Sequence, residues 1–350
     1  MDFSYLKPPK QAMQIKHADE YIKYQVDGKL KRNVFYNVEF EEFEEEMIKK
    51  LEDLIRKRKV QLPEQWDKQT ALKFCYSGNF DIEMTFQTLI NYLKWKENPE
   101  YQILTSAGED ILVIVFIAFK KKGVIFSLGR DKQYRPLIFI QVSKISTNIE
   151  QLPPILNAMC VLLNYIQKFM LVPYYVEKWR IIVDLNDISL FRLPHQIIKQ
   201  IIDVTQSNYT ASLEQLHLLN PPFFLVAAWK LVEKLMHPET AKKIQFCKDP
   251  SYLQEYINED QLMLRYKGTL PNIACLWPII NTYRGMGESN HRNMMESGVK
   301  QMGESVQKNH MVESAYLSMF ESQYYTILTQ KEIELSKPQV KGQCCACNIM

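Results

Sequence analysis

Between residues 124 and 219, short apolar runs alternate with segments of helical periodicity, and this alternation constrains the fold more than any other feature. The apolar runs are typical of buried strands and occupy residues 124–128, 137–142, 181–185 and 216–219. Between the later runs, apolar residues recur three and four positions apart at Ile155, Leu156, Met159, Leu163 and Ile166, and again at Ile197, Ile198, Ile201 and Ile202. Strands that alternate with helices predict an α/β fold with a largely parallel sheet.

The residues before these runs have a helical pattern. A helix predicted to begin near residue 40 carries glutamates early and lysines and arginines late, as the helix dipole favours. A second helix, over about residues 67–76, stops at Gly78, and Asp81 caps a third. We therefore expect an N-terminal helical subdomain in front of the sheet.

These patterns divide the chain into four parts. Residues 1–38 lack periodicity and predict an extended arm, and residues 39–100 form the helical subdomain. The α/β domain is predicted over residues 101–275. Residues 276–350 predict a flexible tail, because residues 281–310 are rich in Gly, Ser, Asn, Met and Gln and contain few large aliphatic residues.

Composition and charge exclude several classes of protein. The 43 Lys and Arg residues nearly balance 40 Asp and Glu, so the net charge of +3 predicts no nucleic-acid partner. The longest apolar run, residues 111–119, is far shorter than the roughly 20 residues of a membrane-spanning helix and predicts a buried strand. Seven scattered cysteines and an N-terminus without an apolar signal segment favour a reduced, cytosolic protein.

The last four residues, Cys-Asn-Ile-Met at 347–350, match a prenylation box. The cysteine to be prenylated is Cys347, and Cys344 and Cys345 are candidate palmitoylation sites. Two alternatives are a chance sequence and one half of a zinc or redox site, because Cys344 and Cys347 also form C-x-x-C. Zinc needs four ligands, and no second C-x-x-C accompanies this one. The pattern favours peripheral attachment to a membrane through lipidation.

No catalytic or metal-binding motif can be assembled from the sequence. The motifs G-x-S-x-G, H-E-x-x-H and G-x-x-x-x-G-K-[ST] are absent. The six histidines do not pair with carboxylates or cysteines at ligand spacing. We therefore expect a protein that is not an enzyme and that has no cofactor and no metal.

The most apolar helical segment follows Asn-Pro-Pro at residues 220–222. From residue 223 to residue 236, almost every side of the predicted helix carries an apolar residue. Such a helix is expected to be buried on both flanks.

Several segments, taken together in their order and spacing, resemble the CRAL-TRIO lipid-binding domains. The matching segments are Ala-Leu-Lys-Phe (71–74), Gly-Asn-Phe-Asp (78–81), Leu-Lys-Trp-Lys (93–96), Gly-Arg-Asp-Lys (129–132), Ile-Val-Asp-Leu-Asn (182–186), Asn-Pro-Pro (220–222) and His-Pro-Glu-Thr-Ala-Lys-Lys-Ile (237–244). The resemblance covers about residues 40–270. It identifies the predicted α/β domain as a CRAL-TRIO domain.

The resemblance implies a sheet that forms the floor of an apolar pocket for one lipid molecule. The apolar helix that begins at residue 223 is then a mobile gate, with Phe223, Phe224, Val226 and Trp229 as gate and pocket residues. For Phe224 and Trp229, ordinary core packing is the alternative. The implied partners are a single lipid and a membrane surface, and we expect a monomer.

Headgroup residues follow from the resemblance one position at a time. In family members that bind phosphoinositides, a Thr and a Lys after the gate helix hold the phosphate, and the matching residues are Thr240 and Lys243. An ordinary surface lysine is the alternative for Lys243. The glutamate that contacts inositol in those members is replaced by Ala211, and a basic pair is replaced by Gly78 and Asn79.

A preference for choline lipids is not implied either. The Ser and Thr that select choline lipids in the family correspond to Trp179 and Ile181. Neither residue has a hydroxyl group. The class of lipid stays open at the level of sequence.

Two hypotheses for the function follow. The first is a non-catalytic lipid-binding or lipid-transfer protein that is tethered to membranes by its prenylated tail. The alternative is a membrane-localised protein-interaction module whose pocket is vestigial. An enzyme is a more distant third possibility, because a lipid-modifying activity needs a nucleophile or metal cluster.

Overall fold

The structure is a computed structural model. It describes residues 6–98, 124–145, 152–188, 195–234 and 238–272. The strand predicted over residues 111–119, the tail and the cysteines of the prenylation box lie outside these ranges.

The N-terminal segment contains a β-hairpin. Its elements are a 3-10 turn (Lys10–Gln14), α1 (Asp19–Ile22), β1 (Lys23–Val26) and β2 (Lys29–Arg32). The two strands pair antiparallel around Asp27 and Gly28, whose φ angles of 53° and 72° are those of a type I′ turn. The prediction of an extended arm is therefore wrong here. Both strands are too polar to show a buried face, so the Asp-Gly turn was the signal in the sequence.

Three helices follow and confirm the predicted helical region. They are α2 (Glu42–Lys57), α3 (Lys68–Ser77) and α4 (Ile82–Glu97). Helix α2 begins with a reciprocal capping box between Glu41 and Glu44. Helices α3 and α4 begin after Asp67 and Asp81, whose carboxylates accept hydrogen bonds from backbone N–H groups of the first turn at 2.7 and 2.8 Å. The helices enclose a core whose most buried residues are Ile48, Leu51, Ala71, Leu72, Cys75 and Leu89.

A five-stranded sheet forms the centre of the second half, which confirms the predicted α/β class. Its strands are β3 (Ile125–Arg130), β4 (Pro136–Gln141), β5 (Trp179–Asp184), β6 (Leu213–Leu219) and β7 (Ile244–Cys247). The strands lie side by side in chain order. β3 and β4 are antiparallel neighbours, and β4 to β7 are parallel, as crossover connections through helices require.

The connecting helices are α5 (Leu152–Tyr165), α6 (His195–Asn208), α7 (Phe223–Glu233) and α8 (Pro238–Ala241). Of these, α5, α6 and α7 match the predicted helices. The sequence did not predict β7, because this strand has only four residues and one of them is Gln245.

The two faces of the sheet are covered differently. On the far face, short 3-10 turns between residues 250 and 266 pack on the strands, and Tyr266 stacks on Phe139 with ring centroids 5.2 Å apart. On the other face lie residues of α5, α6 and α7, and the space between them and the sheet is not filled. This face holds the candidate site, and we call it the cavity face.

Candidate functional site

A cavity of about 350 Å³ lies against the cavity face of the sheet. Alternate strand residues supply its apolar floor, namely Ile125, Ile138, Ile140, Ile181, Val183, Leu216 and Leu218. The helices supply further apolar walls through Met159, Leu163, Ile201, Ile202, Leu225 and Trp229. The volume lies within the range of roughly 300–1,000 Å³ that small-molecule pockets occupy.

The cavity has a polarity gradient along the strands. Because β5, β6 and β7 are parallel, their amino ends lie at the same edge of the sheet. At this edge the lining includes Lys178 just before β5, Thr210 before β6, and Lys243 just before β7. Towards the carboxyl ends the lining is apolar, with Leu185 and Leu218. We call the edge with the lysines the polar end.

The N-terminal hairpin contributes to the polar end. Tyr24 and Lys31 of the hairpin line the cavity. The hairpin is held by a fully buried ion pair, in which Arg32 contacts Glu44 at 2.6 Å, and Tyr76 donates its hydroxyl to the same carboxylate at 2.6 Å. The sequence did not predict this contribution, because residues 1–38 lack periodicity and indicated an extended arm.

The structure brings the two predicted phosphate residues to the polar end. Thr240 and Lys243 both line the cavity, and both are half-buried. The ammonium of Lys243 donates a hydrogen bond to the carbonyl of Leu213 at 2.7 Å. Their role in holding a phosphate stays a prediction.

A second lysine at the polar end was not found from the sequence. Lys178 is 2% exposed and lines the cavity beside Trp179. Its ammonium donates to the side-chain oxygen of Asn33 and lies 3.7 Å from a carboxylate oxygen of Glu214. Burial, and then the charge of Lys243, lower the pKa of Lys178 to about 7. The sequence gave no signal here, because Glu177 and Arg180 near it are also charged and lysines are rarely buried.

A network of buried charges lies behind the polar end. Arg135 contacts Asp131 at 3.1 Å and Glu214 at 3.2 Å, and Arg180 contacts Asp131 at 3.2 Å. Although burial opposes ionisation, Lys178 and Arg135 hold the pKa of Glu214 below its ordinary value. Each of the two carboxylates contacts two cations.

The residues that replace family headgroup contacts have backbone roles. A Cβ atom at Gly78 would lie 2.2 Å from Oγ1 and 2.7 Å from Cα of Thr85, so only glycine allows α3 and α4 to approach this closely. Asn79 and Ala211 have φ angles of 52° and 58°. Ala211 lines the cavity but offers no polar group.

The two positions that correspond to choline-selecting residues are both apolar contacts. Trp179 is 2% exposed and packs edge-on against Tyr209, with ring centroids 5.9 Å apart. Ile181 faces the cavity from the next inward position of β5. Neither side chain offers a hydroxyl to a ligand.

The predicted gate helix, α7, has one buried face and one exposed face. Leu225 is 8% exposed, and Trp229 lines the cavity and packs edge-on against Phe246 at 4.9 Å. Phe223 is 87% exposed and Val226 is 47% exposed. The prediction that both flanks would be buried is therefore wrong, because the helix lies at the surface over the end of the sheet.

Phe224 differs from its neighbour Phe223 in burial. It is half-buried and packs on the small cluster of Leu185, Leu218 and Leu225. Of the four predicted gate residues, Phe224 and Trp229 therefore point inward, whereas Phe223 and Val226 point to solvent.

The described residues also bear on metal binding, membrane spanning and thiol reactivity. No group of three or more His, Cys, Asp or Glu side chains there could hold a metal ion. Within the same ranges, no helix combines the length and apolar character needed to cross a bilayer. The described cysteines, Cys75, Cys160 and Cys247, are buried thiols, and burial raises each pKa to about 11 or 12.

Comparison with known proteins confirms the resemblance to the CRAL-TRIO family. Residues 120–268 match the CRAL/TRIO domain. A CRAL-TRIO domain-containing protein of Saccharomyces cerevisiae is 24% identical over 230 residues, which cover 59% of this chain and 72% of the yeast protein. A CRAL-TRIO domain-containing protein of Schizosaccharomyces pombe is 20% identical over 202 residues, which cover 57% of this chain and 45% of that protein.

One relative is named for an activity. A phosphatidylinositol/phosphatidylcholine transfer protein of Arabidopsis thaliana is 23% identical over 262 residues, which cover 67% of this chain and 43% of that protein. This chain thus spans less than half the length of both the fission yeast and the Arabidopsis relatives. The crystal structure of Sfh5 superposes with a TM-score of 0.52 at 16% identity, covering 67% of this chain and 91% of Sfh5. That similarity supports the fold.

Proposed function

We propose, from the CRAL/TRIO domain at residues 120–268, that this protein binds one lipid molecule in its cavity and carries it between membranes without covalent chemistry. The ligand is a phospholipid or another small lipophile. The observation that carries the proposal is the cavity itself, which is apolar along the strands and polar at one edge. The Arabidopsis relative, named as a lipid transfer protein, supports the same class of function.

The physical basis of the proposal is desolvation. A lipid that leaves a bilayer exposes its chains to water at about 0.8 kcal/mol per CH₂ group. An apolar cavity replaces the bilayer environment, so this free energy is not lost during transfer. The lysines at the polar end suit the headgroup of the same molecule, because an amphipathic ligand needs both environments.

Helix α7 is proposed as the gate and as the contact with the membrane. Its inner face, with Leu225 and Trp229, covers the lipid, and its outer face exposes Phe223 and Val226. Exposed large apolar side chains on a surface helix favour insertion at a membrane interface. The helix therefore connects the cavity with the bilayer from which a lipid would enter.

The tether is a separate proposal that rests on sequence alone. Prenylation of Cys347, together with palmitoylation at Cys344 or Cys345, places the protein on the cytosolic face of a membrane. One isoprenoid chain binds a bilayer only reversibly, so the second acyl chain gives firm attachment.

The test is lipid extraction and mass spectrometry of the full chain purified from a eukaryotic host. We expect one stoichiometric lipid species in the wild-type protein, and an isoprenoid mass increment on Cys347 in the same sample. Ile181→Trp places an indole in the cavity, and this variant should carry no lipid.

The matched control is Leu264→Trp, which makes the same kind of change at a side chain that is 53% exposed on the far side of the sheet. It should carry the same lipid as the wild type. Circular dichroism confirms that both variants fold. An empty wild-type protein, or equal lipid content in Ile181→Trp, would contradict the lipid-binding function and favour an interaction module. An unmodified Cys347 would contradict the tether alone.

A further inference from the structure

We infer that Lys178 is a headgroup-binding residue that selects lipids carrying a phosphate group. This inference rests on the proposed lipid-binding function and names the class of ligand. Lys178 lines the polar end of the cavity, next to Lys243, and is 2% exposed. A phosphate there would accept hydrogen bonds from both ammonium groups.

The buried network around Lys178 contains more positively charged groups than carboxylates. Among the described side chains of the buried network, the three cations Arg135, Lys178 and Arg180 share the two carboxylates of Asp131 and Glu214. An ammonium group that is buried without a full counter-charge is unfavourable. An anionic headgroup in the cavity would supply the missing charge.

The nearest other carboxylate is already occupied. Glu177 accepts hydrogen bonds from the backbone N–H groups of Phe35, Tyr36 and Tyr174, and it lies 3.6 Å from the ammonium of Lys73. This carboxylate therefore joins the N-terminal region to the α/β domain and does not reach the ammonium of Lys178 as an ion pair.

The protonation of Lys178 gives the inference a specific signature. Burial first, then Lys243 and also Arg135, lower the pKa of Lys178 to about 7, against the opposing influence of Glu214 and Glu177. Above this pH the empty cavity therefore holds a neutral lysine. A phosphate favours the charged form and raises the pKa, so binding takes up a proton. The affinity for a phosphate-bearing lipid should fall as the pH rises above 7. Below pH 7 Lys178 is already charged, so it should add no pH dependence there.

The experiment uses a pair of lipids that differ only in the phosphate group. Full-length protein is incubated with phosphatidylcholine vesicles that contain either phosphatidic acid or diacylglycerol of the same acyl chains. The protein is then re-isolated, and the captured lipid is quantified by mass spectrometry. Lys178→Met removes the ammonium and preserves the length of the side chain, and Lys199→Met is the matched control at an exposed lysine.

We expect Lys178→Met to capture phosphatidic acid about tenfold less well than the wild type, with diacylglycerol capture changed by less than about twofold. Lys178→Arg should retain the capture of phosphatidic acid and lose the fall above pH 7, because a guanidinium stays charged. Lys199→Met should match the wild type in every arm. The titration of the phosphate itself is common to all variants and cancels in the comparison.

Three outcomes decide the matter. Equal capture ratios of the two lipids in wild type and Lys178→Met would overturn the inference and leave the lipid-binding function intact. Capture of neither lipid, nor of phosphatidylcholine, by the wild type would count against the function itself. Competition by glycerol 3-phosphate as strong as by phosphatidic acid would assign the site to a soluble phosphate and overturn its role as a lipid headgroup site.

Discussion

The two faces of the five-stranded sheet are made by alternate residues of the same strands, yet one face is filled and the other borders a cavity. On the far face, Phe139 stacks between Phe126 and Tyr266, with ring centroids 5.2 Å apart in both pairs. On the cavity face, the neighbouring residues Ile138 and Ile140 line empty volume. Both faces are apolar in this region, so composition does not distinguish them.

The difference comes from what covers each face. On the far face, close-fitting 3-10 turns between residues 250 and 266 bring Leu253, Leu262 and Tyr266 into full burial. On the cavity face, whole helices span the sheet and leave about 350 Å³ between them and the strands. Because both faces of the sheet are apolar, both must be buried by other elements. The shape of those elements decides whether a cavity for a ligand remains.

The sharpest test of this comparison is the same truncation on adjacent residues of β5. Ile182 is 0% exposed and packs on the far face, and Ile181 lines the cavity. Ile182→Ala should lower the free energy of unfolding by about 3–5 kcal/mol, because it opens a new void in a filled region. Ile181→Ala should cost about 1–2 kcal/mol in lipid-free protein, because it enlarges a space that is already empty. Urea unfolding followed by circular dichroism measures both, and equal losses would remove the distinction between the faces.

A smaller effect concerns acid stability of the far face. His217 is fully buried there, and Arg180 donates to its Nε2 at 2.7 Å, so the proton lies on Nδ1. Burial, and then the charge of Arg180, lower the pKa of His217 to about 3. The unfolded chain binds a proton near its ordinary pKa of about 6.5, so stability is lost as the pH falls below that value.

From this histidine alone, the free energy of unfolding should fall by about 2 kcal/mol between pH of about 7 and about 5. His217→Gln keeps an acceptor for Arg180 and does not titrate, so its loss over the same range should be smaller by that amount. Urea unfolding at the two pH values gives the comparison. Identical pH dependence in both proteins would show that this buried histidine does not govern acid stability.

The smallest expected effect on stability is at the outer face of α7. Phe223 is 87% exposed, so Phe223→Ser should change the free energy of unfolding by less than about 0.5 kcal/mol. Lipid transfer between vesicles should nevertheless slow by up to about tenfold, because a buried phenyl ring contributes about 1.5–3 kcal/mol to membrane contact. Leu264→Ser, at an exposed residue outside α7, is the control and should transfer at the wild-type rate. Unchanged transfer by Phe223→Ser would separate α7 from membrane contact.

The sequence predicted the larger elements because their signals are local. Asp67 and Asp81 cap helices as predicted, and four of the five strands coincide with apolar runs. The hairpin at residues 23–32 was missed because its strands are short and polar, and β7 was missed because four residues are too few to show a period. Both elements matter for the site, since each supplies or precedes a lysine at the polar end.

The candidate site was less accessible to sequence reasoning. Thr240 and Lys243 were found through resemblance to a family, whereas Lys178 was not, since a lysine between charged neighbours is ordinarily exposed. The apolar character of α7 was recognised, but the exposure of Phe223 was not. Exposure depends on which elements pack nearby, and periodicity within one helix does not contain that information.

By itself, the sequence determined the class of fold, the larger helices, four of the five strands of the sheet and the match of residues 120–268 to the CRAL/TRIO domain. These depend on interactions between residues close in the chain, or on patterns shared with relatives. Only the tertiary structure decided that the cavity face stays unfilled and that a lysine with a lowered pKa lies beside Lys243. Both result from distant segments meeting at one edge of the sheet, where burial and neighbouring charges set the free energy of each group.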